Sequence, residues 1–344
     1  MTYKVVLCGC GAMAKGWLRA LQSTPKLRQA LTVVGLVDLD VSVAQALAAE
    51  FSLQPVSVGS DLTAVLSETG ADIVFDVVIP AARHSVVKAA LSHGCHVLSE
   101  KPMATSMEEA TDLIRAAEAA GRIHAVVQNR RFISGVRRMR RFVESGAIGE
   151  ITAIHCDFFI APHFGGFREQ MDNVLLLDMA IHTFDAARFV SGKAPLSVYC
   201  LETNPPGSWY AHGASANAVF QLSDDVVFTY RGSWCAEGQR TSWESEWRIV
   251  GSNGMLTWDG EDAFRASVAG SDSGLLRGAI PIEVLPPVRE EETHGHASVI
   301  ADFLSAIETG GVPETAGQDN IKSLAMVFGA IESARSRQTI DLAA

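Results

Sequence analysis

The sequence predicts a two-domain α/β protein. The first domain has a doubly wound parallel sheet, and the second is an α+β domain with a large open, mainly antiparallel sheet. As far as about residue 128, short β-branched runs alternate with helical stretches, which is typical of buried parallel strands joined by helices. From about residue 151, longer alternating runs follow one another through short polar turns, which favours antiparallel strands. We predict domains at residues 1–128 and 129–344.

The elements of the first domain follow from its apolar runs. The predicted strands are Val5–Cys8, Leu31–Val37, Ile73–Ile79, Val97–Ser99, Ile123–Val127 and a weaker Gln54–Val58. The predicted helices are Val41–Phe51, Leu62–Thr69, His84–Ser92 and Met107–Ala120. Ser106 and Glu109 have the spacing of a capping box, which fixes the start of the last helix.

The second domain is predicted from six alternating runs and several helical stretches. The predicted strands are Ile151–Ile160, Ser197–Glu202, Ser215–Leu222, Val226–Trp234, Ser245–Val250 and Met255–Trp258. Helices are expected up to Glu144, over Asn173–Val190, and over His296–Thr309 and Asp319–Ser336. Most arginines of the basic run, which are Arg130, Arg131, Arg137, Arg138, Arg140 and Arg141, are interpreted as a solvated helix face.

Composition narrows the class of protein. The 344 residues, 48% of them hydrophobic, are enough for two sizeable cores. A net charge of -11 argues against a nucleic-acid or anionic-membrane partner, and no run approaches the ~18 apolar residues of a membrane span. The six cysteines lack C-x-x-C spacing, and the first strand begins at about residue 4, which leaves no room for a leader. We therefore expect a cytoplasmic protein with reduced thiols.

The chain is organised around a glycine turn between the first strand and the first helix. Gly9, Gly11 and Ala14 form a G-x-G-x-x-A pattern there. Gly9 permits a tight turn, Gly11 lets backbone N–H groups approach a pyrophosphate, and Ala14 lets the helix lie close to the sheet. Together with the amides of Ala12 and Met13 at the helix N-terminus, this turn predicts a Rossmann dinucleotide site.

An acidic residue follows the second predicted strand. Asp38 lies a little over 20 residues beyond the glycine turn, where a carboxylate accepts the adenosine ribose hydroxyls. The alternative is a solvated carboxylate in a strand-to-helix turn. Because a 2′-phosphate would meet Asp38 and Asp40 with no adjacent Arg or Lys, we predict that the cofactor is NAD in preference to NADP.

Further site residues follow the next strands. Pro80 ends the strand that begins at Ile73, and Glu100 and Lys101 follow the strand that ends at Ser99. The carboxyl ends of such strands border the ligand crevice, so Pro80, Glu100 and Lys101 are predicted to face the cofactor, with Lys101 also catalytic. A solvated loop lysine is the alternative. His84 is a further predicted residue of the nicotinamide pocket, and capping or solvation is its alternative.

A stripe of ionisable residues runs along the apolar helix predicted over Asn173–Val190. At ~100° per residue, Asp178, His182 and Asp185 fall within about 60° of one another. Buried charges need partners or a cleft, so the alternatives are a structural network and a catalytic site. Asp178 and His182 are four residues apart, and a carboxylate so placed can orient the imidazole of a general base.

These residues together resemble the Gfo/Idh/MocA family of glucose-fructose oxidoreductases and inositol dehydrogenases. The resemblance rests on Gly9-x-Gly11-x-x-Ala14, on Glu100-Lys101-Pro102 and on Asp178-x-x-x-His182-x-x-Asp185, in that order along the chain. It implies a nicotinamide cofactor, a sugar or cyclitol substrate, a catalytic trio of Lys101, Asp178 and His182, a cis Lys101-Pro102 bond, and homodimers or homotetramers built on the C-terminal sheet. The apolar run Val174–Leu177, and Ala180 in place of a frequent glycine, depart from the family pattern.

We hypothesise oxidation of a carbinol of a sugar, sugar derivative or cyclitol. His182 accepts the hydroxyl proton, Lys101 donates to the same oxygen, Asp178 holds His182 or a substrate hydroxyl, and hydride passes to NAD. Arg168 is a predicted contact of substrate hydroxyls. Trp234, Trp243 and Trp247 either stack on a sugar ring or pack in the sheet. No metal is predicted, because His294 and His296 lack a third ligand at a usual spacing.

Two other functions stay open. In one, retained NAD assists a glycoside hydrolase without net turnover of the cofactor, and net NADH formation from a free sugar argues against it. In the other, the chain is a non-catalytic dinucleotide-binding regulator. The joint presence of Lys101, Asp178 and His182 argues against that reading.

Overall fold

A computed structural model describes residues 2–271, 275–288 and 295–342. Contacts between Cα atoms divide the chain into two compact units. The first unit comprises Met1–Asn129 and His294–Ile321, and the second comprises Arg130–Thr293 and Lys322–Ala344. The functional domains expected at 1–128 and 129–344 stay a prediction, since compactness alone assigns no role to either segment.

The first unit alternates strands and helices. Its elements up to residue 126 are β1 (Tyr3–Cys8), α1 (Ala12–Ser23), α2 (Pro25–Ala30), β2 (Leu31–Val37), α3 (Val41–Glu50), β3 (Ser57–Gly59), α4 (Leu62–Thr69), β4 (Ile73–Asp76), α5 (Pro80–Ser92), β5 (His96–Ser99), α6 (Met107–Ala120) and β6 (His124–Val126). The strands form a parallel sheet in the order β3-β2-β1-β4-β5-β6. The predicted doubly wound parallel sheet is confirmed.

Helix starts in this unit follow from local capping. The Ser106 hydroxyl accepts a hydrogen bond from the Glu109 amide at 3.2 Å, and α6 begins at Met107 as predicted. The Glu109 carboxylate returns to the amide of Thr105 at 2.9 Å, one residue before the position that a capping box requires. Asp40 and Asp61 cap α3 and α4 in the same way, with their carboxylates accepting backbone amides.

Several details of this unit differ from the prediction. The strand β3 is Ser57–Gly59 rather than Gln54–Val58, and α5 begins at Pro80 rather than at His84. The strand predicted over Ile73–Ile79 ends at Asp76, and Pro80 opens α5 in the first turn, where proline needs no amide hydrogen. The six-residue helix α2 was not predicted, because Pro25–Ala30 is shorter than the window over which helical periodicity can be recognised.

The second unit is built on a nine-stranded sheet. Its elements are α7 (Ser134–Glu144), β7 (Ile151–Phe159), α8 (Ile181–Ser191), β8 (Pro195–Thr203), β9 (Ser215–Leu222), β10 (Val227–Ser233), β11 (Glu246–Gly251), β12 (Gly254–Trp258), β13 (Phe264–Ala269) and β14 (Ala279–Ile282). The last elements of the chain are α9 (His296–Thr309), α10 (Gly317–Ser336) and β15 (Ile340–Asp341). Helix α9 belongs to the first unit, α10 begins in the first unit and ends in the second, and β15 belongs to the second.

The strand order of this sheet is β14-β13-β12-β11-β7-β10-β9-β8-β15. Neighbours are antiparallel except β7 and β10, which pair in parallel, so the predicted mainly antiparallel sheet is confirmed. Helix α8 covers one face of it, because the ring of Phe184 packs edge-on against Phe220 and Tyr230 at 4.8 and 5.2 Å between centroids. Among the described residues, no helix is long and apolar enough to span a membrane.

Candidate active site

The glycine loop connects β1 to α1. Gly9 has φ +92°, and a Cβ there would lie 2.7 Å from the backbone of Val77 and Val78, so only glycine fits. A Cβ on Gly11 would meet no atom within 4 Å. Packing within the described chain therefore does not require glycine at position 11, and the space beside it suits the close approach of a pyrophosphate. Ala14 is fully buried where α1 meets the sheet.

Asp38 closes this loop. Its Oδ2 accepts a hydrogen bond from the Cys10 amide at 2.8 Å, and its Oδ1 accepts one from the Asp40 amide at 3.0 Å. Asp40 is occupied as the cap of α3, where bonds from Ser42 lower the pKa of its carboxyl. Burial raises the pKa of both Cys8 and Cys10 to about 12, so these thiols stay protonated beside the loop.

The backbone after β4 and β5 is held by a buried arginine. Arg83 lies in the first turn of α5 with 1% of its surface exposed, and its Nε donates to Asp76 Oδ2 at 2.8 Å. Its two terminal nitrogens donate to the carbonyls of Val78 and Pro102. Arg83 thus ties the loop after β4 to the residue that follows Lys101. Burial raises the pKa of the Asp76 carboxyl, and the Arg83 charge and the Ser99 hydroxyl oppose that rise.

Glu100 fixes the other side of Lys101. Its Oε1 accepts hydrogen bonds from Trp17 Nε1 at 2.8 Å and from His296 Nε2 at 3.1 Å, and its Oε2 accepts the Lys101 amide at 3.2 Å. Burial is the largest single influence and raises the pKa of Glu100, but the bonds from His296 and Trp17, with the charges of His296 and Lys101, together lower it. The Lys101-Pro102 bond is cis, as the family resemblance implied.

The two remaining predicted cofactor residues lie on α5. Pro80 is the first residue of the helix. The His84 ring lies 2.7 Å from Asp112 Oδ2 on α6, and Lys88 Nζ binds the same oxygen at 2.7 Å. His84 therefore links α5 to α6 through Asp112. Its place in a nicotinamide pocket stays a prediction.

The ionisable stripe of the second unit spans two kinds of helix. Residues Leu175–Ala180 form a π-helix, and the regular helix α8 begins at Ile181. The constant step of ~100° per residue therefore does not hold from Asp178 to His182. Arg168, in the short 3₁₀ turn Gly166–Gln170, donates from Nε to Asp178 Oδ2 at 2.8 Å. The predicted substrate residues Arg168 and Asp178 thus lie together.

His182 is largely buried in the same unit, with 9% of its surface exposed. It lines a narrow cleft. Most of the other lining residues come from the two consecutive helices over 175–191, from the 3₁₀ turn Asn129–Phe132, and from β11 and the loop before it, and they include Arg130, Met179, Thr183, Trp243, Glu244 and Trp247. Of the three tryptophans weighed for sugar stacking, Trp234 and Trp247 are buried in the sheet and Trp243 is 44% exposed.

Asp185 belongs to a buried hydrogen-bond network. Its two oxygens accept hydrogen bonds from Nε and a terminal nitrogen of Arg131, both at 2.7 Å, and Ser323 donates to Oδ1 at 2.6 Å. Arg131 and Asp185 are 5% and 0% exposed. The structural reading of the stripe therefore applies to Asp185. A buried guanidinium fork satisfies both oxygens of the carboxylate.

The interpretation of the basic run as a solvated helix face is wrong for most of its arginines. Besides Arg131, Arg130 binds Glu244, and Arg137 and Arg140 stack over Phe189 at 4.8 and 5.4 Å. Arg138 and Arg141 donate to carbonyls of residues 284–286. The partners lie up to 147 positions away, so spacing on the helix could not reveal them.

Two groups of residues were missed from the sequence. The first is Arg83. The sequence offers one signal for it, which is a charged residue seven positions after Asp76, near the start of the helix that follows a buried strand. The exposed rings of Phe164 and Phe167, next to Arg168, form the other. His294, considered and rejected as a metal ligand, lies outside the described residues.

A parallel sheet with this glycine loop, joined to a second unit on an open mixed sheet, defines the class of dinucleotide-binding oxidoreductases. Comparison with known families agrees. Residues 3–128 match an oxidoreductase family with an NAD-binding Rossmann fold, and residues 136–257 match the GFO/IDH/MocA C-terminal domain. The chain belongs to the Gfo/Idh/MocA family of oxidoreductases.

Individual relatives share the whole length of the chain. D-apiose dehydrogenase of Paraburkholderia graminis is 25% identical over 99% of this chain and 90% of its own. Inositol 2-dehydrogenase of Rhizobium meliloti is 23% identical over 100% of both. The solved structure of an oxidoreductase from Agrobacterium radiobacter in complex with NAD+, L-tartaric acid and magnesium has a TM-score of 0.85 at 21% identity, over 99% of each chain, and shares the fold.

Proposed function

We propose that the protein is an NAD-dependent dehydrogenase that oxidises a hydroxyl of a sugar, sugar derivative or cyclitol. The place of Lys101 carries this proposal. Lys101 follows β5 at the edge of the sheet where β1 enters the glycine loop, and Glu100 and Arg83 hold the backbone around it. The names of the relatives, which act on D-apiose and inositol, support a sugar or cyclitol substrate.

The cofactor is assigned to the first unit. The backbone of Gly9, Gly11, Ala12 and Met13 holds the pyrophosphate at the start of α1, and Asp38 accepts the ribose hydroxyls. A 2′-phosphate would meet the carboxylates of Asp38 and Asp40, which favours NAD over NADP. Bound NAD supplies the hydride acceptor.

Three side chains carry the proton and the charge. His182 accepts the hydroxyl proton, because an imidazole can act as a base near neutral pH. The Lys101 ammonium donates a hydrogen bond to the same oxygen and stabilises its developing negative charge. Asp178, with the Arg168 guanidinium on its Oδ2, accepts a neighbouring substrate hydroxyl while Arg168 donates to another. The proposal requires Lys101 and His182 to act on one hydroxyl.

A substrate panel tests the function. Pentoses, hexoses, sugar lactones and cyclitols are incubated with NAD, and NADH formation is followed, with NADP as the parallel cofactor. We expect NADH from at least one free sugar or cyclitol and less product with NADP. The panel also contains a 4-nitrophenyl glycoside, and release of 4-nitrophenol from it without NADH formation would instead favour the NAD-assisted hydrolase. NAD binding without turnover of any compound would favour the non-catalytic regulator.

Lys101→Ala tests the catalytic assignment. Loss of the ammonium is expected to lower kcat by about 10²- to 10⁴-fold, the range for a group that assists proton transfer or charge stabilisation. NADH titration shows whether the variant still binds the cofactor. Lys88→Ala is the matched control, since Lys88 is a half-exposed lysine bound to Asp112. Unchanged activity of Lys101→Ala contradicts the catalytic assignment.

We also propose a homodimer or homotetramer formed through the open face of the nine-stranded sheet. Tyr199, Val219, Val227 and Met255 expose apolar side chains on this sheet. A cytoplasmic location belongs to the same proposal and is supported by the six cysteines, all of which are free thiols.

A further inference from the structure

Three exposed aromatic rings lie beside the substrate residues of the second unit. Phe164, Phe167 and Trp243 are 44%, 68% and 44% exposed, and we call them the aromatic platform. The rings of Phe164 and Trp243 are 6.3 Å apart between centroids. Phe164 also packs at 5.3 Å on the buried ring of Trp234, which supports it from below. A cluster of exposed apolar side chains is more typical of a binding site than a single exposed ring is.

Arg168 links the platform to the predicted substrate site. Its guanidinium lies over the rings of Phe164 and Phe167, at 5.1 and 5.0 Å from their centroids, while its Nε donates to Asp178. Within the described part of the chain, no acceptor binds its two terminal nitrogens. Arg168 is therefore oriented by three neighbours and keeps a fork of donors for a ligand.

The platform is continuous with the cleft that holds His182. Trp243 lines that cleft together with His182. Exposure rises outward, from 9% at His182 to 44% at Phe164 and 68% at Phe167. A reacting ring that contacts His182 and Asp178 lies at the buried end, and the platform lies on its more exposed side.

We propose that the aromatic platform and Arg168 form a subsite for a second ring, joined by a glycosidic bond to the ring that is oxidised. This inference rests on the proposed function and narrows its substrate to glycosides. Phe164, Phe167 and Trp243 pack against the face of the second ring, and the free nitrogens of Arg168 donate to its oxygens or to the glycosidic oxygen. The second ring is either a sugar or an aryl group.

The experiment compares substrates that differ only beyond the reacting ring. The value of kcat/KM with NAD is measured for D-glucose, methyl D-glucoside, phenyl D-glucoside and cellobiose. We expect phenyl D-glucoside or cellobiose to exceed methyl D-glucoside about tenfold or more, since each stacked ring is worth about two- to tenfold. The preferred compound of the two identifies the ring as aryl or sugar. Equal values for all four overturn the subsite and leave the dehydrogenase proposal intact.

Variants of Phe167 locate the preference. Phe167→Ala is expected to lower the ratio of the two-ring substrate to methyl D-glucoside about three- to tenfold. Phe167→Leu keeps an apolar side chain without the ring and is expected to lower the ratio equally. A ratio in Phe167→Leu like that of the wild type overturns ring stacking. Val312→Ala, which truncates an 82% exposed valine of the first unit, is the control and should keep the ratio.

Two further measurements separate this inference from its alternatives. Sedimentation velocity of Phe167→Ala tests whether the platform is instead an interface between copies, and dissociation of an oligomer would overturn the subsite. If the wild type oxidises none of the four compounds, calorimetry with NAD-saturated protein decides. Binding of phenyl D-glucoside or cellobiose that weakens in Phe167→Ala supports the subsite, and no binding overturns it.

Discussion

At the scale of single residues, water barely reaches three ionisable groups in or next to strands β4, β5 and β6 of the parallel sheet. Asp76, Glu100 and His124 are 0%, 8% and 3% exposed. The first two are paired with Arg83 and His296, respectively. Within the described part of the chain, the His124 ring bonds to the Ser99 hydroxyl alone, at 3.0 Å from its Nε2. Burial, with the nearby Arg83 charge, lowers the pKa of His124 to about 3, so the ring is neutral at pH 7.

This pKa makes the stability of the fold depend on pH. The folded pKa of about 3 lies below the ordinary value of 6.5, so the unfolded chain binds the proton more readily. The contribution of His124 is fully present above pH 6.5 and is lost as pH falls towards 3. Between pH 7.5 and 5.0, it lowers the free energy of unfolding by about 2 kcal/mol.

His124→Gln tests this dependence by urea unfolding at pH 7.5 and 5.0. Glutamine can bond to Ser99 and does not titrate, so the loss between the two pH values should shrink by about 2 kcal/mol. His93→Gln, which changes an exposed histidine, should keep the full loss. An equal loss in His124→Gln and the wild type would contradict the assignment.

At the scale of elements, the β1–α1 loop separates two roles of glycine. Gly9 is required by the fold, since a Cβ would strike the backbone of Val77 and Val78 at φ +92°. At Gly11, no atom of the described residues comes within 4 Å of an added Cβ. The same substitution at the two positions therefore separates structure from ligand binding.

Gly9→Ala and Gly11→Ala are compared by urea unfolding and NADH titration. Gly9→Ala is expected to lose more than about 1 kcal/mol of stability from the left-handed backbone alone, and cofactor binding with it. Gly11→Ala should unfold like the wild type and weaken NADH binding about tenfold or more, because the methyl group occupies the approach of the pyrophosphate. Wild-type affinity in Gly11→Ala would contradict the predicted pyrophosphate site.

The first turn of α5 positions the residues around Lys101. Arg83 reaches Asp76, the Val78 carbonyl and the Pro102 carbonyl, three acceptors that a single lysine ammonium cannot span. A shift of about 1 Å at a reacting group costs about 10²-fold in rate. Arg83 thus acts through the backbone of the loop, as a positioning residue.

Arg83→Lys is expected to lower kcat about ten- to hundredfold and to change the Kd for NADH little. Faster amide hydrogen exchange over residues 99–104 should accompany the loss, and this readout does not need turnover. Leu91→Ala, in the last turns of the same helix and 2% exposed, destabilises the helix without touching the loop. An equal loss of kcat in the two variants, measured where both are folded, would show that Arg83 is merely structural.

At the scale of the whole molecule, local signals predicted the parallel sheet and several helix ends. Helices α4 and α6 have the predicted bounds, because Asp61 and Ser106 cap them through neighbouring amides. Contacts between residues far apart in the sequence could not be predicted from such local signals. One example is the parallel pairing of β7 with β10. Another is the hydrogen bond from Arg131 to Asp185, two residues that are 54 positions apart. The π-helix before α8 also lacks a local signal.

The site was predictable in part for the same reason. Asp38 and Lys101 were recognised because they follow strands, and ligands of an open parallel sheet bind at the carboxyl ends of its strands. Phe167 lies in the 3₁₀ turn Gly166–Gln170, which is too short to show a periodic pattern, so neither its exposure nor its contact with Arg168 could be predicted.

The open face of the nine-stranded sheet carries the last prediction. Val219 and Tyr199 are directly opposite on β9 and β8, and they are 48% and 38% exposed. A carboxylate at the centre of an apolar interface is costly to bury, so Val219→Glu is expected to convert the oligomer to monomers in sedimentation velocity. Val312→Glu is the matched control, because it makes the same change at an 82% exposed valine outside this sheet, and it should keep the oligomer. An oligomer that persists in Val219→Glu would place the subunit interface elsewhere.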